Sequence, residues 1–171
     1  DIGALEAAIE IAEALDAPLI ASGYSRLVID CNRWPGGEGS IPEISDGTSV
    51  PANRGLSKVQ VEERASACFW PYHREVDRIL DAMTAGSRQA CLLVVHSFTP
   101  IMNEFARPWH VGVLWNDDPR LAAPLLASLR RDASLVVGDN EPYSARASYE
   151  YTLTAHARPR AIPNCSLEVR Q

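Results

Sequence analysis

The chain has 171 residues with an ordinary apolar share of 46%, enough to bury one real core, so disorder is excluded as an overall description. Its net charge of −6 is spread along the sequence, which excludes the basic stripe of a nucleic-acid surface while leaving room for a small anionic substrate held by a few placed arginines. No apolar run approaches the roughly 20 residues that span a bilayer, and no signal peptide is visible.

Ile2, Leu5, Ile9, Ala12 and Leu15 recur at helical spacing, which predicts an amphipathic helix over 2–15. Pro18–Ala21 and Arg26–Asp30 read as two short strands, with Gly23 in a tight connection. Residues 31–56, rich in Gly, Pro, Asn and Ser, form a long irregular loop. Ser57 and Gln60 have capping-box spacing and should open a helix, which Pro71 breaks or restarts before a second helix over about 72–85. Cys91–Val95 is a continuous apolar run, as in a buried central strand, and Trp109–Trp115 is a further strand. Asp117, Asp118 and Pro119 mark a helix start, with the helix running to about Arg131. Leu135–Val137 is a strand, 138–147 a loop, 148–157 a helix and 166–170 a last strand. Alternating strands and helices predict a three-layer α/β/α domain with a mixed, mostly parallel central sheet. The chain reads as a single domain over 1–171 that lacks an N-terminal segment, since it opens on a helical pattern without a methionine. The four cysteines, widely spaced and without a CxxC pair, read as reduced thiols of a cytoplasmic protein.

In sheets of this kind, ligands bind beyond the carboxyl ends of the strands. His96 stands at the mouth of an apolar strand, placed to coordinate a metal or act as a base; taken alone, a structural histidine is the commoner case. Asn32 and Arg33 offer amide and guanidinium donors together, suited to a carboxylate, or equally to a capped turn or surface ion pair. Glu168 in the last strand faces either solvent, paired with Arg170, or a cleft, where it can serve as a general base. His73 and His110 read as structural, and His156 as a surface histidine on a helix. Ser97 lies outside any GxSxG elbow, and no HExxH pair is present.

Five stretches occur together in a distinctive order: Ser25-Arg-Leu-Val-Ile-Asp-Cys-Asn-Arg33, Phe69-Trp-Pro-Tyr-His73, Val95-His-Ser-Phe-Thr-Pro100, Gly138-Asp-Asn-Glu-Pro-Tyr-Ser144 and Leu167-Glu-Val-Arg-Gln171. In these the chain resembles the N-formylglutamate amidohydrolase family, similar in layout to zinc carboxypeptidases. The resemblance implies a zinc-dependent hydrolase releasing formate and glutamate from N-formylglutamate, as in histidine degradation. It makes His96 a zinc ligand, and Asn32 and Arg33 the grip on a substrate carboxylate. Arg170 joins them as a candidate substrate-binding residue. Glu168 becomes general base and then general acid. The family's early His-Ala-Gly-Asn type motif has no counterpart in these residues, so further metal ligands are expected outside them. Two other readings stand beside this one. They are a non-catalytic relative that binds an acidic metabolite, and a hydrolase of the same fold acting on another N-acyl amino acid or a peptide.

Overall fold

The computed structural model describes residues 1–86, 89–144 and 150–171. Helix α1 spans Ala4–Leu15 and ends at Asp16, whose left-handed backbone (φ 48°) turns its N–H back onto the carbonyls of Ala12 and Glu13. It buries a different stripe from the expected one. Ala4 and Ala8 are covered and Ile11 packs on the core, whereas Ile2 and Leu15 are largely exposed. Apolar residues surround this helix on more than one side, so periodicity alone did not single out the face that meets the sheet.

Neither 18–21 nor 26–30 is a strand. Val28 closes a turn onto the carbonyl of Ser25, and Asp30 bonds a single loop carbonyl, that of Ser40. Ile29 is buried against Phe69 and Tyr151, so the apolar character of this stretch serves packing. The 31–56 loop holds only a small hairpin, β1 (Ile44–Ser45) with β2 (Thr48–Ser49), and a single 3₁₀ turn. Asn53 and Arg64 pin this loop: the Asn53 amide donates to the carbonyls of Leu27 and Pro42, and the Arg64 guanidinium to those of Val28 and Ala52.

Helix α2 (Lys58–Arg64) opens on the expected capping box, with both reciprocal Ser57–Gln60 bonds present. A wide π-helical turn over Ala65–Phe69 joins it to α3 (Trp70–Thr84), which carries Pro71 in its first turn. Proline lacks an N–H and crowds the carbonyl four residues back. The widened turn absorbs that conflict without ending the helix.

The central sheet comprises β3 (Leu92–Phe98), β6 (Val111–Leu114), β7 (Val137–Asp139) and β8 (Asn164–Arg170), in the order β3-β8-β6-β7. A small hairpin, β4 (Ile101–Met102) with β5 (Phe105–Ala106), follows β3. The β3–β8 and β6–β7 pairs are parallel and β8–β6 antiparallel, so the sheet is mixed and mostly parallel. The apolar run expected in the centre instead forms an edge of the described sheet. Most of β3 is half-buried, and a cleft of about 360 Å³ runs along it between α1, residues 17–22 and α3. The inner strands of the described sheet are β8 and β6, each paired on both sides.

Helix α4 (Pro119–Leu129) starts at Asp118, whose carboxylate accepts the Arg120 N–H, with proline at the first helical position. It covers Val111, Val113, Cys165 and Leu167 on one face of the sheet, joined by Ile11 of α1. On the other face, α3 packs Val76 and Leu80 against Ala157, Ile162 and Leu92. The result is the expected three-layer α/β/α arrangement. Because side chains alternate along a strand, Cys165, Leu167 and Val169 point to α4, while Ser166, Glu168 and Arg170 point to the opposite layer. No helix among the described residues is long and apolar enough to cross a membrane.

Candidate active site

The register of β3 on β8 sets Val94 beside Ser166, His96 beside Glu168 and Phe98 beside Arg170, all on the face away from α4. Glu168 is 6% exposed, and its Oε2 has no hydrogen-bond partner among the described residues. Burial pushes its carboxyl up to about 7; nearby His96 opposes the rise, Glu150 adds to it, and Arg107 and Arg26 lower it. The solvent-facing reading of Glu168 therefore fails, and no ion pair joins it to Arg170 among the described residues. Arg170 is half-buried, one pleat further along the same face.

His96 is held on both nitrogens. Nδ1 lies 2.8 Å from the Asp1 carboxylate, and Nε2 lies 3.3 Å from the Asn32 amide nitrogen. The Asn32 amide is oriented by its other end, since Oδ1 accepts the Thr152 N–H at 3.0 Å. An amide NH₂ can only donate, so His96 Nε2 is the acceptor and Nδ1 carries the proton toward Asp1.

Asp30 builds the turn that carries Asn32 and Arg33. Its Oδ1 accepts the Asn32 N–H at 2.8 Å, and its Oδ2 lies 3.3 Å from Arg26 Nε and 3.9 Å from Arg33 Nε. Asn32 also accepts the Tyr151 N–H on its backbone carbonyl. The structure thus brings Asn32 directly onto His96, and His96 beside Glu168. Arg33 lies within electrostatic range of Glu150.

Two site neighbours escaped the sequence reading. Glu150 accepts from Ser166 Oγ at 3.1 Å, and its carboxyl is raised, chiefly by burial, with His96, Ser166 and Arg33 opposing. It falls within a predicted helix, where a lone glutamate reads as a solvated residue. Arg107 is 7% exposed; its guanidinium donates to Tyr143 Oη at 3.0 Å, sits 4.9 Å from that ring's centroid, and lies within electrostatic range of Glu168. No periodic pattern marks it, although the aromatic residues around it were a usable signal.

The Gly138–Ser144 stretch lies over the same face. A Cβ on Gly112, the register partner of Glu168, would come 1.9 Å from the Glu141 carbonyl oxygen, and one on Gly138 would come 2.7 Å from it. These two glycines let the loop settle directly on the sheet. The part of the predicted loop and helix that falls on 145–149 lies outside the described residues. His110 is structural as expected, its Nδ1 accepting the Val136 N–H. His156 is not a surface residue: it is 2% exposed, on a π-helical turn (Leu153–Ala157) wedged between α3 and the sheet.

Residues 1–171 match the N-formylglutamate amidohydrolase family. The chain belongs to the N-formylglutamate amidohydrolase family. It is also similar to the crystal structure of gene product Atu2144 from Agrobacterium tumefaciens, with 35% identity and a TM-score of 0.93, over 99% of this chain and 67% of that one. No curated protein matches it. Membership makes the protein a hydrolase acting on an amide. In the structure His96 and Glu168 share one face of the sheet, and Asn32 meets His96 from the 31–33 turn.

The zinc that the family's resemblance to carboxypeptidases implies does not fit these residues by themselves. Among the described residues no group of three His, Cys, Asp or Glu side chains could hold a metal. The Nε2 lone pair of His96 is already taken by Asn32, whose amide cannot turn without losing Thr152. A catalytic zinc takes three protein ligands, a set that the described residues do not assemble.

Proposed function

We propose that this amidohydrolase releases formate from N-formyl-L-glutamate, with Glu168 as the base. The observation that carries this reading is the buried carboxylate with an unpartnered oxygen. It is raised to about 7 and set beside His96 on the face that Asn32 and Arg33 approach. A carboxyl poised near neutrality takes a proton from water and returns it later, as general base and acid catalysis requires.

In the proposed sequence, Glu168 removes a proton from a water molecule as its oxygen bonds to the formyl carbon. The C–N bond then breaks, Glu168 gives that proton to the departing nitrogen, and formic acid and the amine of glutamate separate, the acid's proton then passing to the amine or to solvent as formate forms. Asn32 and Arg33 hold a substrate carboxylate through paired N–H donors. Arg170 and the buried Arg107 are the cations available for a second carboxylate, which supports a dicarboxylate substrate over a neutral N-acyl amino acid. Zinc remains part of the proposal only as an ion whose further ligands the described residues do not supply.

The test is formate release from N-formyl-L-glutamate by the intact protein and its Glu168→Gln variant. The variant is expected to lose activity by about a hundredfold or more while still binding substrate. Full activity in Glu168→Gln removes the proposed base. Tight binding by the parent with no formate release assigns the protein to the non-catalytic reading.

A further inference from the structure

Behind the turn that carries Asn32 runs a file of ionisable groups, two buried histidines ending on a half-exposed aspartate, that the amide chemistry does not use. His73 and Asp77 stand one turn apart on α3, and His156 enters from the 153–157 turn. His73 Nε2 lies 2.7 Å from the Cys31 carbonyl oxygen, and His73 Nδ1 lies 2.8 Å from His156 Nε2. His156 Nδ1 lies 2.8 Å from Asp77 Oδ1. Both imidazoles are 2% exposed, and their planes lie within 18° of each other with centroids 5.0 Å apart.

Proton counting decides the charge of this file. Its two ends, a backbone carbonyl and a carboxylate, only accept, so three contacts need three protons on the four ring nitrogens. Two neutral imidazoles carry two protons between them, which sets lone pair against lone pair at one contact. Two imidazoliums carry four, which sets N–H against N–H at 2.8 Å. Three protons satisfy every contact.

We propose that His73 and His156 share one proton as a singly charged pair, and that this pair is a positioning device locking the Cys31–Asn32 peptide in place. The second half rests on Asn32 and Arg33 gripping the substrate, as argued above. Asn32 is tied to the same 150–157 segment by its backbone carbonyl on Tyr151 and its Oδ1 on Thr152. The grip therefore moves with the segment that holds His156.

The surroundings favour that charge state. Asp77 also accepts from Arg160 at 2.9 Å, and Arg160 bonds Asp81 and the His156 carbonyl, so the positive file ends on a held carboxylate. The other titratable groups facing the pair are Tyr72 from α3, Cys31 from the turn and Tyr151 from the opposite segment. All three are raised by burial and stay neutral. Burial presses His73 down to about 4; the bond to the Cys31 carbonyl opposes the fall, His156 adds to it, and Asp77 opposes it. With its Nε2–H on the Cys31 carbonyl, His73 accepts at Nδ1 from His156 Nε2–H, and His156 Nδ1–H meets Asp77. Loss of the third proton breaks one of the three contacts.

The direct test is imidazole nitrogen NMR of the intact protein from about pH 5 to about 9, with the two rings assigned by single variants. At neutral pH the pair should show three protonated nitrogens and one bare one, changing together in a single step as pH rises. Two and two at neutral pH, with independent transitions, would overturn the shared proton.

The positioning role is tested by His156→Leu and His156→Gln, both checked for a parental thermal transition. His156→Leu should raise KM for N-formylglutamate by about tenfold with kcat changed less than about twofold. His156→Gln, whose amide can donate to His73 without titrating, should restore KM and flatten its rise above neutral pH. An unchanged KM in His156→Leu, or His156→Gln behaving like it, removes the positioning role. The proton count does not depend on turnover, so failure of the proposed reaction and failure of the pair are read separately.

Discussion

Glu168 sets the chemistry of the site at the scale of one residue. Its folded-state carboxyl is raised from 4.5 to about 7, with burial the main cause. The folded chain thus keeps a proton that the unfolded chain has already released. The stability this proton contributes is fully present below the unfolded value and is lost as pH rises through about 7. Glu168→Gln replaces the ionised group by a neutral one of the same shape. The variant is expected to match the parent in acid and to exceed it above neutral pH, by at most roughly 3 kcal/mol. Denaturant midpoints at about pH 4 and about pH 8 check this, and the same offset at both would show that ionised Glu168 is not held at a cost. Arg33 acts on binding instead. Arg33→Ala is expected to raise KM for a carboxylate substrate by about tenfold or more with little change in kcat. An unchanged KM would remove Arg33 as the anchor.

Elements position these residues through a few contacts that admit no substitution. Gly112 on β6 and Gly138 on β7 are bare because the Glu141 carbonyl rests on them. Gly112→Ala would place a carbon 1.9 Å from that backbone oxygen, which no side-chain movement relieves. It is expected to cost about 1–3 kcal/mol and to displace the loop from the Glu168 face, lowering turnover as well as stability. A variant with parental midpoint and activity would show that the loop is free to lift. Local signals were legible at this scale where they act within one turn of chain. The Ser57–Gln60 box and the Asp118–Pro119 start both appear as read, because a cap is satisfied by residues within three of it. The 18–21 and 26–30 stretches misled for the opposite reason. An apolar run marks a segment for packing, but a strand also needs ladder bonds to a neighbour: Val28 instead closes a turn on Ser25, and residues 17–22 stand across the cleft from the β3 edge.

The whole molecule is a sheet with two unlike faces, one apolar under α4 and one carrying ionisable groups. In a chain of net charge −6, arginines 33, 107 and 170 and the carboxylates of Glu150 and Glu168 belong to the second face or its rim. Metal binding is a property at this scale, since its ligands come from separate elements. Titration of zinc into the 171-residue chain is expected to show no site tighter than about micromolar, because the described residues assemble no three-ligand group. A tight stoichiometric site, lost in His96→Ala, would show that these residues rearrange to make one.

The sequence by itself determined the layer architecture, the helix starts, and the family through five ordered stretches that include His96, Asn32, Arg33 and Glu168. Those features are written in local spacing or in residue identity. The tertiary structure alone decided that β3 lies at an edge of the described sheet and that Glu168 faces inward. It also decided that Glu150 and Arg107 are neighbours of the site, and that His156 is buried against His73 and Asp77. Each of those depends on which strands pair and which faces meet. Contacts between residues as far apart as 73 and 156 leave no trace in the periodicity of either segment.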